Sequence, residues 1–265
     1  MIGTYSSYKN IVSNMPRTLN TVMTQPQVKR ETDYYAATIR SIGSVDAFLK
    51  NDKIYSYAMQ AWGLEDMAFA KGLMRKVLTD PGFAGKMVDK RYQSFAEAFD
   101  FRRYGDKATE RDSATRQTVN KYMQQTLESQ TGDQNPGARL ALYFNRTISE
   151  MMNSGALSQD SWAYQIMGDR ALREVVFTAL ALPETIGASD IEAQKRLLES
   201  RMSYADLANP DNMEAFIGRF SAMYDLQNQP MVSPALDVLN ATASSSGTGF
   251  SNAMMMSLQS LRFGA

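Results

Sequence analysis

Apolar residues in this chain recur with the period of a helix, and no run of alternating β-branched residues competes with that pattern. Over 51–64, Ile54, Tyr57, Ala58, Ala61 and Trp62 fall at i, i+3, i+4, i+7 and i+8, one face of a helix. Asn51 suits an N-cap and Gly63 a helix stop. A second helix is expected to follow at once, opened by Glu65 and Asp66 and striped by Met67, Ala70, Met74, Val77 and Leu78. Asp80-Pro81-Gly82 should end it, because a residue before proline avoids the α region. Helices are also predicted over 90–101, 108–130, 136–153, 168–182, 190–201 and 211–226. The reading is an all-α fold.

Two absences then narrow the chemistry. The 265 residues include no Cys and no His. That removes zinc sites built on these ligands, haem with a His or Cys ligand, thiol nucleophiles and Ser-His-Asp triads. Any metal would have to be a hard cation on oxygen ligands, and no carboxylate spacing of that kind is present. No cofactor is expected. Lys plus Arg equals Asp plus Glu at 28 each, which argues against nucleic acid, where a basic excess is the rule. No apolar run approaches the roughly 18 residues of a membrane span. The N-terminus has no signal-peptide apolar region, so the protein is expected to be soluble and cytoplasmic when made, without membrane insertion.

The two halves share a pattern. Residues 48–64 laid on 166–182 agree in apolar-versus-polar order at most positions, although only Ala61/Ala179 and Leu64/Leu182 are identical. The cap candidates Asn51 and Asp169 coincide, and Trp62 and Leu180 should be equivalent buried positions. Farther on, 95–101 answers 220–226 through Phe95/Phe220 and Asp100/Asp225. These matches suggest an internal duplication. They divide the chain into an acid-poor segment (1–30), helical unit one (31–104), a polar helical connector (105–147), helical unit two (148–230) and a low-charge tail (231–265). Within the connector, Val119, Tyr122, Met123, Thr126 and Leu127 form a narrow apolar stripe, and 132–137 (GDQNPG) reads as the clearest loop.

Both ends are compositionally unusual, and weak packing is expected of them. Residues 1–30 contain no Asp or Glu but hold Lys9, Arg17, Lys29 and Arg30. There, Tyr5, Tyr8, Val12, Met15, Leu19 and Val22 follow the spacing of an a/d heptad seam, interrupted by Pro16. In 231–265 the only charges are Asp237 and Arg262, and Phe250, Met254, Leu258 and Leu261 share one helical face. The two seams have two readings: packing on the protein's own core, or binding a partner that supplies the other side.

The stretches TYSSYKNI (4–11), QPQVKRETDYY (25–35), SVDAFLKNDKIYSYAMQAWGLEDMAFAKGLMRKVL (44–78) and KRYQSFAEAF (90–99) resemble a family of alphaproteobacterial proteins of unknown function. Genes of that family are commonly found among flagellar genes. The resemblance implies a flagellar context and no reaction, and it assigns no site residues. Flagellar export substrates are also similar to this chain in lacking Cys and in having acid-poor N-terminal segments. The C-terminus lacks the motifs of flagellar axial proteins, so an associated assembly factor is the closer reading.

Candidate chemistry is sparse. Glu65 and Asp66 are adjacent and point about 100° apart on a helix, which suits a helix N-terminus better than catalysis. Asp100, Arg102 and Arg103 read as an ion pair closing a helix, and Gly247-Thr248-Gly249 is a lone GxG without a preceding strand. Basic and aromatic residues interleave at 90–92 and 102–104, weak evidence for nucleic acid in a neutral chain. The enzyme alternative is a peptidoglycan hydrolase using one buried Glu, for which Glu97, Glu174 and Glu184 are the candidates in apolar surroundings. The preferred expectation is a non-enzymatic structural or assembly protein of the bacterial flagellum, whose helices contact a protein partner; self-association and export are left open.

Overall fold

The computed structural model describes residues 3–183, 186 and 190–228. The C-terminal seam residues Phe250, Met254, Leu258 and Leu261, and the hydrolase candidate Glu184, lie outside the described residues. The chain is all-α, with no strand among the described residues. The first helices are α1 (Thr4–Ser13), α2 (Met15–Met23) and α3 (Pro26–Thr38). Next come α4 (Val45–Lys50), α5 (Asp52–Ala61), α6 (Lys71–Thr79), α7 (Pro81–Lys86), α8 (Arg91–Phe99) and α9 (Phe101–Tyr104). The long helices α10 (Thr118–Gln134) and α11 (Pro136–Asn153) follow. The remainder are α12 (Trp162–Gly168), α13 (Arg170–Ala179), α14 (Ile191–Arg201), α15 (Tyr204–Ala208) and α16 (Pro210–Asn228).

Short polar side chains start most of these helices by accepting from otherwise unpaired first-turn amides. Asn51 Oδ1 accepts from Ile54 N at 3.2 Å and Asp80 Oδ1 from Phe83 N at 3.1 Å. Asn135 caps α11 and Asp169 caps α13 in the same way. Proline adds fixed φ in the first turn of α2, α3, α7 and α11.

Three expectations change. The helix foreseen from Glu65 is a single 3₁₀ turn (Glu65–Met67) followed by α6, because Ala70 (φ −85°, ψ 52°) leaves the helical region. The 108–130 helix starts late: a 3₁₀ segment (Gly105–Glu110) and a π-turn (Ser113–Gln117) precede α10. The GDQNPG stretch is almost entirely helical, broken only at Asn135. Its glycines serve close packing. A Cβ on Gly132 would lie 2.6 Å from Arg139 Cδ, and one on Gly137 would lie 2.5 Å from Tyr224 Cδ1 and 2.6 Å from Thr4 Oγ1.

Two apolar clusters form within the compact unit that ends at Asp225. The first is centred on Tyr35, Phe48, Ile54, Tyr55, Phe95 and Phe99, and the second on Phe144, Ile166, Leu172, Val176, Ile217 and Phe220. The polar connector contributes to both: Tyr122, Met123 and Leu127 of α10 join the first, and Ala141, Leu142 and Phe144 of α11 join the second. The α10 stripe therefore lies inward; Tyr57 stacks between Tyr35 (4.3 Å) and Tyr122 (3.8 Å).

The segments 51–64 and 169–182 repeat one another in detail. Both helices have ten residues, with side-chain caps at Asn51 and Asp169. Both end in the same turn. Gly63 N and Ala181 N donate to the carbonyls of Gln60 and Thr178 at 3.0 and 3.1 Å, while Leu64 N and Leu182 N reach back to Met59 and Phe177, each at 2.8 Å. Gly63 and Ala181 occupy the left-handed region at φ 66° and 51°. This is the double reach-back of a Schellman turn. Trp62 and Leu180 are equivalent, as expected, but each is half-buried rather than fully buried. Phe95 and Phe220 are both fully buried.

Candidate functional site

The N-terminal seam spans two helices, since Pro16 opens α2 after a break at Asn14. Residues 3–30 pack more closely than their composition suggests. Tyr8 and Val22 are buried, and Tyr5, Val12, Met15 and Leu19 are half-buried. Tyr5, Tyr8 and Val12 lie on the second cluster and Leu19 and Val22 on the first, while Ile11 and Met15 touch both. The physical reason is the break: a straight heptad seam would face one partner, whereas two helices joined at Asn14 serve two apolar surfaces of their own chain.

Polar contacts fasten the start of α1. Its N-cap residue, Gly3, offers no side chain, and the acceptor comes from α16. Asp225 Oδ2 accepts from Thr4 N at 3.0 Å, and Asp225 Oδ1 accepts from Thr4 Oγ1 at 2.5 Å. Thr4 itself is buried. At the next residue, Tyr5 Oη donates to Glu214 Oε1 at 2.9 Å, and Lys9, one turn farther on, pairs with the same carboxylate. Burial, then the Glu214 charge, pushes the Tyr8 hydroxyl pKa up to about 12. Hydrogen bonds from Lys9 and then Tyr5 hold the Glu214 carboxylate below its usual value.

A second polar cluster, not anticipated from sequence, sits between α10 and α11. Arg146 makes a two-pronged pair with Glu128, Nε to Oε1 at 2.5 Å and Nη2 to Oε2 at 3.1 Å. Glu150 receives Lys121 at 2.8 Å and Arg146 at 3.4 Å. Lys121 also lies 5.0 Å over the Trp62 ring, whose Nε1 donates to Thr118 Oγ1 at 3.3 Å. Burial alone would lower the Arg146 pKa, but Glu128 outweighs it and keeps the guanidinium charged. Burial likewise works against the Glu150 carboxylate, and the charges of Arg146 and Lys121 reverse the effect, lowering its pKa. The i, i+4 pair Arg146/Glu150 is legible in the sequence; the approach of Glu128 and Lys121 depends on how the two helices cross.

The candidate hydrolase residues Glu97 and Glu174 lie on exposed helix faces rather than in apolar surroundings. The buried glutamate among the described residues is Glu128, occupied by Arg146. Asp100 takes a left-handed conformation (φ 30°) and caps Arg103 N at 3.2 Å instead of closing the helix by an ion pair. Arg91 bonds Asp89 and the Gly63 carbonyl, and Arg111 stacks 4.2 Å over Tyr104. A shallow groove beside α4 and α6 is lined by Asp46, Lys50, Asp52, Lys71 and Arg75, and its charges pair as Lys71–Asp52 and Arg75–Asp46. Among the described residues no group of acidic side chains is arranged to hold a metal ion, and no helix is long and apolar enough to cross a membrane.

Comparison with known proteins places the chain by family. Residues 61–213, more than half of the sequence, match a family described as protein of unknown function (DUF1217). A crystal structure of a structural-genomics target protein from Agrobacterium tumefaciens is similar at 37% identity. That match covers 85% of this chain and 94% of the other, with a TM-score of 0.75. A search of curated proteins found no match. Family match and structural similarity agree: the chain belongs to the DUF1217 family of proteins of unknown function.

Proposed function

We propose that this protein is a non-enzymatic structural or assembly factor associated with the bacterial flagellum, acting through helix-mediated contacts with a protein partner. The flagellar context comes from the resemblance of residues 4–11, 25–35, 44–78 and 90–99 to proteins encoded among flagellar genes. The observation that carries the non-enzymatic part is the fate of buried charge: Glu128, the carboxylate best shielded from water among the described residues, is held by Arg146 between two helices. A general acid needs a carboxyl free to exchange its proton with a substrate. The N-terminal seam supplies an apolar helix face in a segment free of Asp and Glu, a form suited to a partner helix.

The test pairs two assays on the full chain. Co-purification with flagella from motile cells should retain the protein, and zymography on cell-wall material should show no clearing. Clearing that disappears with Glu97→Gln, Glu174→Gln or Glu184→Gln would replace this reading with the hydrolase.

A further inference from the structure

The seam read as a partner-binding element is the element that α11 and α16 cover. Tyr8 is 4% exposed, so a partner cannot read the α1 face while α1 lies on its own chain. We propose that α1 is an autoinhibitory strap, latched by Asp225, that must be released before its half of the N-terminal seam engages a partner. The proposal rests on the flagellar assembly role and adds its regulation.

Three features make α1 separable from the rest. It is a ten-residue helix without a cap of its own, and helices of that length are marginal in water without tertiary support. Its first turn is completed from 221 residues away, by the two Thr4–Asp225 hydrogen bonds. Its connection to α2 is the break at Asn14 (φ −126°, ψ 29°), while α2 keeps a separate anchor in Val22, which is buried in the other cluster. Opening at Asn14 would free Tyr5, Tyr8, Ile11 and Val12 together and leave α2 in place. Gly137 marks how closely the strap is seated, since any side chain there would meet both Thr4 and Tyr224.

Charge indicates the partner. The strap carries Lys9 and no acid, and Glu214 of α16 supplies the matching carboxylate in the closed state. An apolar helix or groove flanked by acidic residues would replace both the apolar and the ionic contacts of α16. Such a partner competes with the protein's own chain for one face.

Amide exchange on the full-length protein tests the latch without any partner. In Asp225→Ala, exchange over residues 5–13 should rise at least about tenfold while α5 amides keep their wild-type rates. Asp225→Asn, which retains an acceptor oxygen, should fall between. Thr4→Val, which loses the hydroxyl bond and keeps the backbone one, should raise exchange over 5–13 by a smaller factor with α16 untouched. Unchanged exchange over 5–13, or an equal rise throughout the chain, would overturn the latch. Binding to purified flagella supplies the functional arm: Asp225→Ala should bind several-fold more tightly than wild type. Faster strap exchange with unchanged binding would overturn the autoinhibition and leave the flagellar reading standing. Binding by neither protein would overturn the flagellar reading and, with it, the regulatory role.

Discussion

The turn at Gly63 and the turn at Ala181 have the same hydrogen bonds, yet one is built on glycine and the other on alanine. At position 63, glycine is needed twice over. Its φ of 66° is left-handed, and an added Cβ would come within 3.1 Å of Gln125 Nε2 and 3.7 Å of Arg91 Nη1. Arg91 also takes the Gly63 carbonyl. At Ala181, which is exposed, only the backbone strain applies. The shared geometry is therefore imposed by the flanks of the turn, a helix end on one side and a leucine turned back toward the core on the other. The residue at its corner adapts to the local crowding. The same contrast holds one residue earlier: Trp62 meets Phe95, Thr118 and Lys121, whereas Leu180 packs on the second cluster as a plain aliphatic.

The most severe test of this equivalence is in the cores. Phe95→Ala and Phe220→Ala should each cost about 3–5 kcal/mol in denaturant unfolding, because both rings are fully buried. A near-neutral result at either position would break the correspondence. Next in size, Trp62→Ala should cost about 2–4 kcal/mol and Leu180→Ala about 1–2 kcal/mol, the gap reflecting the larger ring and its polar neighbours. Equal losses would show that the contacts with α10 contribute little.

At the corners themselves, Gly63→Ala should destabilise by about 1–2 kcal/mol, from left-handed strain and crowding against Gln125. Ala181→Gly should be slightly stabilising, by about 0.5 kcal/mol, as relief of strain exceeds the entropy of glycine. A loss at Ala181→Gly would mean that the alanine methyl is engaged in packing.

The smallest effect is the pH dependence of the cluster where α10 meets α11. Glu150 has a lowered pKa in the folded protein, so its contribution is present above the unfolded carboxyl value, about 4.3. It is lost as pH falls through the lower folded value. Glu150→Gln should therefore flatten the acid side of the stability–pH curve relative to wild type, while leaving the relative effects of Phe95→Ala and Phe220→Ala unchanged at neutral pH. Parallel curves would exclude Glu150 from the acid response.

Helix class, several caps and the register between the halves were legible in the sequence, because they depend on short-range rules. Asn51 and Asp169 bond amides two or three residues away, and the 3.6-residue period marks which face is apolar. The seam from Tyr5 to Val22 was legible as an apolar stripe, but its destination was not. Periodicity identifies the face that seeks cover, and it carries no information about whether the cover is the same chain or another.

Contacts over long sequence separations follow from how the helices pack. Thr4 meets Asp225, Glu128 meets Arg146 across a helix pair, and Gly137 lies under both Thr4 and Tyr224. A glycine in GDQNPG signals conformational freedom when read locally. Here it provides the absence of a side chain where three helices converge, and that requirement arises only from how the helices pack. Residue order alone makes this protein helical and sets where its apolar faces run; the packing of those faces decides which are closed and which charges close them.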